Sequence, residues 1–287
     1  MKRLGVIANL SKPEASAALK RLAGKAAKLG LELLSDEATA KLLGQCKIAA
    51  RADVVEKSDA IIAMGGDGTM LRAVRELDGR DKPLIGVNLG SLGFMTSVAE
   101  EDIERALESL AAGKYLESTR AMAECVVVRN GKEIGCYRAL NDVVVTSGKS
   151  VRILSLEMSI DNQHVTSYAC DGLIISTPTG STGHSMSAGG PIVQPDTQAF
   201  VISLICPHSL SSRPLVVPDK SEISVRIEES EGDILLSIDG QEGYSLSQDD
   251  CVKVRRSGKS VRFIHLAGYS YFAVLRQKLH WRGSVLG

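Results

Sequence analysis

The chain changes its hydrophobic period once, near Leu116, and that change limits the folds open to it. Before it, short apolar runs alternate with amphipathic segments. "RLGVIANL" precedes a segment whose Ala15, Leu19, Leu22 and Ala26 share one helical face. The pairing recurs as "LELL" with "DEATAKLLGQ", "DAIIAM" with "TMLRAVREL", and "PLIGVNL" with "EEDIERALESLAAG". Strands alternating with helical segments of about 10–15 residues imply a parallel sheet covered on both faces, with ligands bound beyond the carboxyl ends of its strands. Ser11 and Glu14, with Pro13 between them, have the spacing of a capping box that opens the first helix, and Gly30 stops it.

After Leu116 the punctuation becomes that of hairpins. Asn-Gly divides "ECVVVRNGKEIGCYRAL", Asp-Asn divides "LSLEMSIDNQHVTSYA" and Asp-Gly divides "DILLSIDGQEGYSL". Such dipeptides supply the positive φ angles of type I′ turns, so consecutive hairpins predict an antiparallel β domain. The last stretch returns to helical spacing, with Phe272, Leu275, Leu279 and Trp281 as the expected buried face. The expected organisation is an α/β domain with a parallel sheet over 1–118, carrying a glycine-rich phosphate loop, then an antiparallel all-β domain over 119–265. A helical tail over 266–287 docks on the first domain.

Composition removes several classes of function. Lys+Arg 34 balance Asp+Glu 34, so binding to nucleic acid or membrane by bulk charge is not expected. The six cysteines are scattered without a C-x-x-C pair or zinc spacing, and no metal ligands stand out. Unpaired thiols, no signal-peptide pattern and no run of about 18 apolar residues lead to the expectation of a cytoplasmic protein.

The stretch "IIAMGGDGTMLR" sets one carboxylate among three glycines. Gly65, Gly66 and Gly68 let the backbone turn sharply and approach a ligand closely, and a helix amino terminus follows. Successive N–H groups in such a turn bind phosphate oxygens. Neither the Walker pattern nor the dinucleotide fingerprint is met, the latter failing at Leu71. Asp67 is the informative residue: an acid in a phosphate nest is electrostatically costly unless it holds a cation or takes a proton from an attacking hydroxyl. Phosphoryl transfer requires a group of the second kind.

A second polar loop lies in "CDGLIISTPTGSTGHSMSAGGPI", residues 170–192, where a strand runs into Ser176, Thr177, Thr179, Ser181 and Thr182. Hydroxyls with little charge suit a hydroxyl-rich ligand such as a sugar or a nicotinamide ribose. In "LNDVVVT", Asn141 and Asp142 either grip vicinal hydroxyls or an amine edge, or cap a turn.

Together, "GGDGTML", "NLGSLGFMT", "LNDVVV", the long hydroxyl-rich segment, "CPHSLSSRPLVVP" and "IDGQ" resemble the NAD kinase family, in the family's order and over most of residues 60–245. The resemblance implies transfer of the terminal phosphate of ATP, or of polyphosphate, to the 2′-hydroxyl of the adenosine ribose of NAD. Mg2+ or another divalent cation would neutralise the phosphates. By the same resemblance Asp67 is the catalytic aspartate, with Gly65, Gly66, Gly68, Thr69 and Arg72 at the phosphates. NAD would meet Asp67, Gly68, Phe94, Asn141, Asp142, Arg152, Ala169, Asp171, Thr179, Thr182, Gly183, His184, Ser185, Met186, Ser187 and Gln241. The family's oligomers imply a homodimer or homotetramer, with Asp171 and its neighbours serving a partner's site.

Two departures stand out. Gly183-His184 replaces the family's usual Ala-Tyr, exchanging a stacking phenol for an imidazole. Ala169 is uncharged where some relatives carry a cation, a difference expected to permit some use of NADH. The competing readings are a lipid or sugar kinase sharing only the glycine-aspartate loop, and a non-catalytic nucleotide sensor.

Overall fold

The structure, a computed structural model, describes residues 1–90, 93–148, 153–230 and 232–281. The chain forms two compact units: Met1–Thr119 with Val261–Gly287, and Arg120–Ser260. The first unit opens with β1 (Arg3–Ala8), α1 (Ala15–Lys28), β2 (Glu32–Ser35), α2 (Glu37–Leu43) and β3 (Lys47–Ile48). It continues with α3 (Arg51–Lys57), β4 (Ala60–Gly65), α4 (Asp67–Leu77), β5 (Leu84–Asn88) and α5 (Ile103–Ala112). The chain passes into the second unit through β6 (Leu116–Arg129), which leads to β7 (Lys132–Ala139), β8 (Asp142–Ser147), β9 (Leu154–Ile160), β10 (Gln163–Cys170) and β11 (Gly172–Ser176). The short α6 (His184–Ser187) precedes β12 (Ala199–Ile205), β13 (Leu215–Pro218), β14 (Ile223–Ser230), β15 (Ile234–Ile238) and β16 (Glu242–Leu246). Through β17 (Cys251–His265) the chain returns to the first unit and ends its described part just after α7 (Tyr271–Lys278).

In the first unit the strands pair in parallel in the order β5-β4-β1-β2-β3, with the end of β17 beside β5. Strand order therefore reverses between β1 and β4. In an open α/β sheet, the loops leaving the two strands at such a reversal diverge to opposite faces and leave a crevice at the carboxyl edge. The loop after β4 is the glycine-aspartate stretch.

Alternate side chains of these strands face two layers of helix. Leu4, Val6, Ile62, Met64, Ile85 and Val87 pack with α1 and α5. On the other face, a Cβ placed on Gly5 would stand 2.6 Å from Ile61 Cδ1 and 3.0 Å from Val54 of α3, and one on Gly86 would stand 2.7 Å from Met70 Sδ of α4. Glycine is what lets α3 and α4 come this close.

The second unit contains two antiparallel arrays. One runs β13-β12-β11-β8-β15-β16; the other places β10, β9, β14 and the start of β17 side by side. Inward residues of both, including Val143, Val145, Leu173, Ile175, Phe200, Leu156, Met158, Val225 and Val252, form one buried cluster. The three hairpin dipeptides lie where expected: Asn130 and Gly131, Asp161 and Asn162, and Asp239 and Gly240 all have positive φ. The α/β-then-antiparallel architecture agrees with the sequence reading.

Several local expectations are corrected. Ser11 and Glu14 do not form a capping box: α1 starts at Ala15, Glu14 makes no side-chain cap, and the Ser11 N–H donates to Asn9 Oδ1 at 3.1 Å. Asn9 thus forms a side-chain turn that bends the chain before the helix begins. In α7 the buried residues are Val274 and Leu275, whereas Phe272 and Trp281 are about half exposed. The Ser270 hydroxyl accepts the Ala273 N–H and sets the helix start; of the expected face Leu275 is buried, and Trp281 lies beyond the helix end at Lys278. Both β3 and α3 escape sequence reading because they are short and charged; only Val54 and Val55 of α3 are buried. No described helix is long and apolar enough to cross a membrane.

Gly5→Val should lower the unfolding free energy by about 1–3 kcal/mol through overpacking against α3. Gly24→Ala, within α1 and with no atom within 4 Å of the new Cβ, should raise it by about 0.5–1 kcal/mol. Urea unfolding of the two variants beside the parent measures both signs.

Candidate active site

Asp67 is the first residue of α4, immediately after the turn that ends β4. Its carboxylate accepts two backbone hydrogen bonds from the loop after β5, from Phe94 N–H at 2.9 Å and from Met95 N–H at 3.0 Å. That loop approaches so closely that a Cβ on Gly93 would collide with Asp67 Oδ1, and Gly93 N–H is itself held by Thr96 Oγ1 at 3.1 Å. The "LGFMT" stretch therefore fixes the acid. Each carboxylate oxygen has two acceptor positions and spends one on the loop, so each retains one for a ligand.

Around this acid, Gly65 packs under Thr69, whose Cβ lies 2.9 Å from where a Gly65 Cβ would be. Gly66 is the α4 N-cap and has no side chain to occupy the helix amino terminus. Arg72 lies one turn on; it donates to the carbonyl of Ala8, the last residue of β1, at 2.8 Å, and its Nε is 3.7 Å from Glu76 Oε1. Phe94 is half-buried, and the Lys278 ammonium of α7 sits 5.6 Å from the centre of its ring.

In the second unit, Asn141 and Asp142 lead into β8 and are held by a residue that sequence reading did not single out. Asp239 accepts the N–H groups of Leu140 at 3.0 Å, Asn141 at 2.7 Å and Asp142 at 3.2 Å, and its own N–H donates to the Asp142 carbonyl at 3.0 Å. From the other side the Asn141 carbonyl takes the Thr177 N–H at 2.8 Å, and Thr177 Oγ1 donates to the Leu140 carbonyl. Gly180 packs on the Asn141 backbone so tightly that any Cβ would overlap its carbonyl. So constrained, the Asn141 side chain leaves Oδ1 buried with no hydrogen-bond partner, an acceptor a ligand could satisfy.

Asp142 is 5% exposed, and burial together with the neighbouring Asp239 carboxylate pushes its pKa up from 3.8 to about 7. Near neutrality it exists as both acid and anion, and so can either donate to or accept from a polar edge.

The hydroxyls of the 170–192 loop are mostly turned inward. Ser176 and Thr177 bond to backbone carbonyls, Ser181 bonds to the Pro178 carbonyl at 2.7 Å and to Val193, and the buried Ser185 shares a 3.1 Å bond with Ser203. These groups hold the loop in shape. Thr182 is buried with its hydroxyl on the Thr179 carbonyl at 3.4 Å, Thr179, Gly183 and Met186 are half-buried, and His184 and Ser187 are exposed. Ala169 and Gln241 are also exposed; the Ala169 carbonyl accepts the His208 N–H at 2.9 Å. The Asp171 carboxylate interacts with the Cys206 thiol and raises its pKa. Arg152 lies outside the described residues. Among the described residues no three His, Cys, Asp or Glu side chains are grouped to hold a metal ion.

Comparisons with known proteins cover both units of the chain. The family described as ATP-NAD kinase N-terminal domain matches residues 4–115, and that described as ATP-NAD kinase C-terminal domain matches residues 140–266. NAD kinase of Syntrophotalea carbinolica is 40% identical over 98% of this chain and 99% of its own length. The chain belongs to the NAD kinase family. NAD kinase of Geobacter sulfurreducens is 39% identical over 98% of this chain and 99% of its own. Among solved structures, a yeast NADH kinase complexed with NADH has the same fold, with a TM-score of 0.91 at 22% identity, covering 99% of this chain and 89% of that one. An NAD kinase from Archaeoglobus fulgidus in complex with ATP matches with a TM-score of 0.78 at 25% identity, covering 98% of this chain and all of that one.

Replacing Asp239 with Asn removes one of the two causes that raise the Asp142 pKa. Carbon-detected NMR titration should therefore find the Asp142 midpoint lower in Asp239→Asn than in the parent. Because the folded value lies above the ordinary one, the stability Asp142 contributes is present in full below about pH 4 and is lost as pH rises toward 7. An unchanged midpoint would mean that burial alone sets it.

Proposed function

We propose that this member of the NAD kinase family phosphorylates NAD with Asp67 as the general base. Asp67 takes the proton of the adenosine-ribose 2′-hydroxyl, and the ribose oxygen bonds to the terminal phosphorus of the donor. The bond from that phosphorus to the bridging oxygen breaks, and ADP leaves with the electron pair. The observation that carries this reading is the doubly hydrogen-bonded carboxylate at the carboxyl end of β4, beside the strand-order reversal. A base held in place by two backbone donors need not be ordered when the hydroxyl arrives.

ATP is the donor we assign, because the Archaeoglobus relative binds it. A turn that reads only phosphate would also accept polyphosphate. The metal enters as part of the substrate, Mg2+ or another divalent cation already on the phosphates, where it neutralises charge as the leaving oxygen departs. An isolated Asp67 suits this, since such ions are commonly held by one or two carboxylates plus the phosphates.

On the NAD side, the unmet Asn141 Oδ1 and the adaptable Asp142 carboxyl supply an acceptor and a group that both donates and accepts. The remaining predicted contacts, Gly68, Phe94, Arg152, Ala169, Asp171, Thr179, the run Thr182–Ser187 and Gln241, are assigned to the same ligand. The uncharged Ala169 leads us to propose some turnover of NADH, and a purified enzyme that makes NADPH from NADH at no measurable rate would refute it. A homodimer or homotetramer is the assembly we propose; half-exposed Val216 on the edge strand β13 and fully exposed Leu210 just before it support a surface of this kind. Six unpaired cysteines fit a reducing, cytoplasmic setting. The lipid-kinase, sugar-kinase and sensor readings lack a supporting observation.

Asp67→Asn should lower kcat by roughly 100-fold to 10,000-fold while leaving NAD binding measurable. Gly93→Ala, which keeps the acid but thrusts a methyl group into it, should lower kcat as well. Steady-state assay of NADP formation tests both, and full activity in Asp67→Asn would remove the base from the mechanism.

A further inference from the structure

We infer that Lys12 binds the phosphate tail of the donor. The inference deepens the reading above and rests on it for the location of the donor. Lys12 stands four residues past the end of β1, in the turn that Asn9 bends: Asn9 N–H donates to the Met64 carbonyl of β4 at 2.8 Å, and its side chain takes the Ser11 N–H. From there the ammonium reaches to 3.7 Å from where a Cβ on Gly90 would stand, two residues past the end of β5. In the sheet β4 lies between β1 and β5. Neighbouring strands are about 4.8 Å apart, so the turn after β1 and the lysine stem together bridge the roughly 10 Å from β1 to β5. What continues from the end of β4 is Gly65-Gly66-Asp67-Gly68. The charge thus stands at the same edge of the sheet as the phosphate loop.

The far side of this span is built to stay in place. Leu89 N–H donates to the Gly65 carbonyl at 3.0 Å, and the buried Asn88 donates from Nδ2 to the Gly90 carbonyl at 2.7 Å. Gly90 itself has a φ of 110°, which a side chain would strain. Asn88 Oδ1 is buried with no hydrogen-bond partner, so the turn beneath the ammonium also carries an unmet acceptor. Lys12 is half-buried, and among the described residues it pairs with no carboxylate. A lysine with no counter-charge ordinarily carries its head into water. This one stands within 3.7 Å of the Cβ position of Gly90.

Electrostatics gives it a task. The Asp67 carboxylate repels the phosphates that the loop's N–H groups attract, and a cation facing the same loop offsets that repulsion. Lysine serves as a point charge for phosphate, with three donors free to follow oxygens that move during transfer.

The test uses the full-length protein with Lys12→Met, which keeps the stem and removes the charge, and with Lys12→Arg. Calorimetric titration with MgATP, without NAD, should show affinity falling about tenfold to a hundredfold in Lys12→Met and largely recovered in Lys12→Arg. Inorganic tripolyphosphate should weaken by a similar factor. In turnover the KM for ATP should rise while the KM for NAD stays within twofold, with thermal unfolding unchanged. MgATP affinity within twofold of the parent in Lys12→Met would overturn the inference, as would a loss seen with ATP and absent with tripolyphosphate. A parent protein that binds MgATP but makes no NADP would count against the proposed function, and the binding comparison would still decide the role of Lys12.

Discussion

The bond pair from Phe94 and Met95 N–H to Asp67 is the constraint around which the first unit is arranged. It joins the loop leaving β5 to the helix leaving β4, and it requires Gly93, because no side chain fits between loop and acid. It also explains how a negative charge persists among N–H groups suited to phosphate: the acid is turned toward its own donors and held there. The same edge of the sheet receives the Asn9 turn from β1 and the Asn88–Gly90 turn from β5, so three successive loops converge on one short stretch of backbone.

The second unit uses the same device beside the proposed NAD contacts. A carboxylate, Asp239, gathers three N–H groups and fixes the backbone of Asn141 and Asp142, while Thr177 and Gly180 close on it from the other side. Here the structural acid and the proposed ligand-binding acid are neighbours in space, and burial, reinforced by their repulsion, pushes the Asp142 pKa up to about 7. In both units an acid is oriented by backbone groups, which do not change when surface side chains drift.

Much of this was legible in the sequence. The change of period near Leu116 announced the two architectures, and each hairpin dipeptide carries the positive φ its turn demands. Asp67 could be picked out because a lone acid among glycines has few structural uses. Its partners could not, since Phe94 and Met95 act through backbone N–H groups 27 and 28 residues downstream, which no side-chain pattern reports. Asp239 was hidden by its hairpin: the Asp-Gly signal accounts for a turn and conceals that the side chain reaches a different strand. The hydroxyl-rich loop read as a ligand surface, yet Ser176, Thr177, Ser181 and Ser185 spend their hydroxyls within the protein, because burial leaves them no water to bond. The capping box failed for a related reason, with Asn9 claiming the Ser11 N–H before the helix began.

The central claim is that the carboxylate of Asp67 meets the hydroxyl that becomes phosphorylated. A crystal structure of the protein with NAD and a non-hydrolysable ATP analogue measures this directly. The account predicts a 2′-oxygen of the adenosine ribose within about 3 Å of an Asp67 oxygen, on the side away from Phe94 and Met95. A closed complex with that hydroxyl directed away from Asp67, and with another side chain or water at hydrogen-bonding distance from it, would contradict the account.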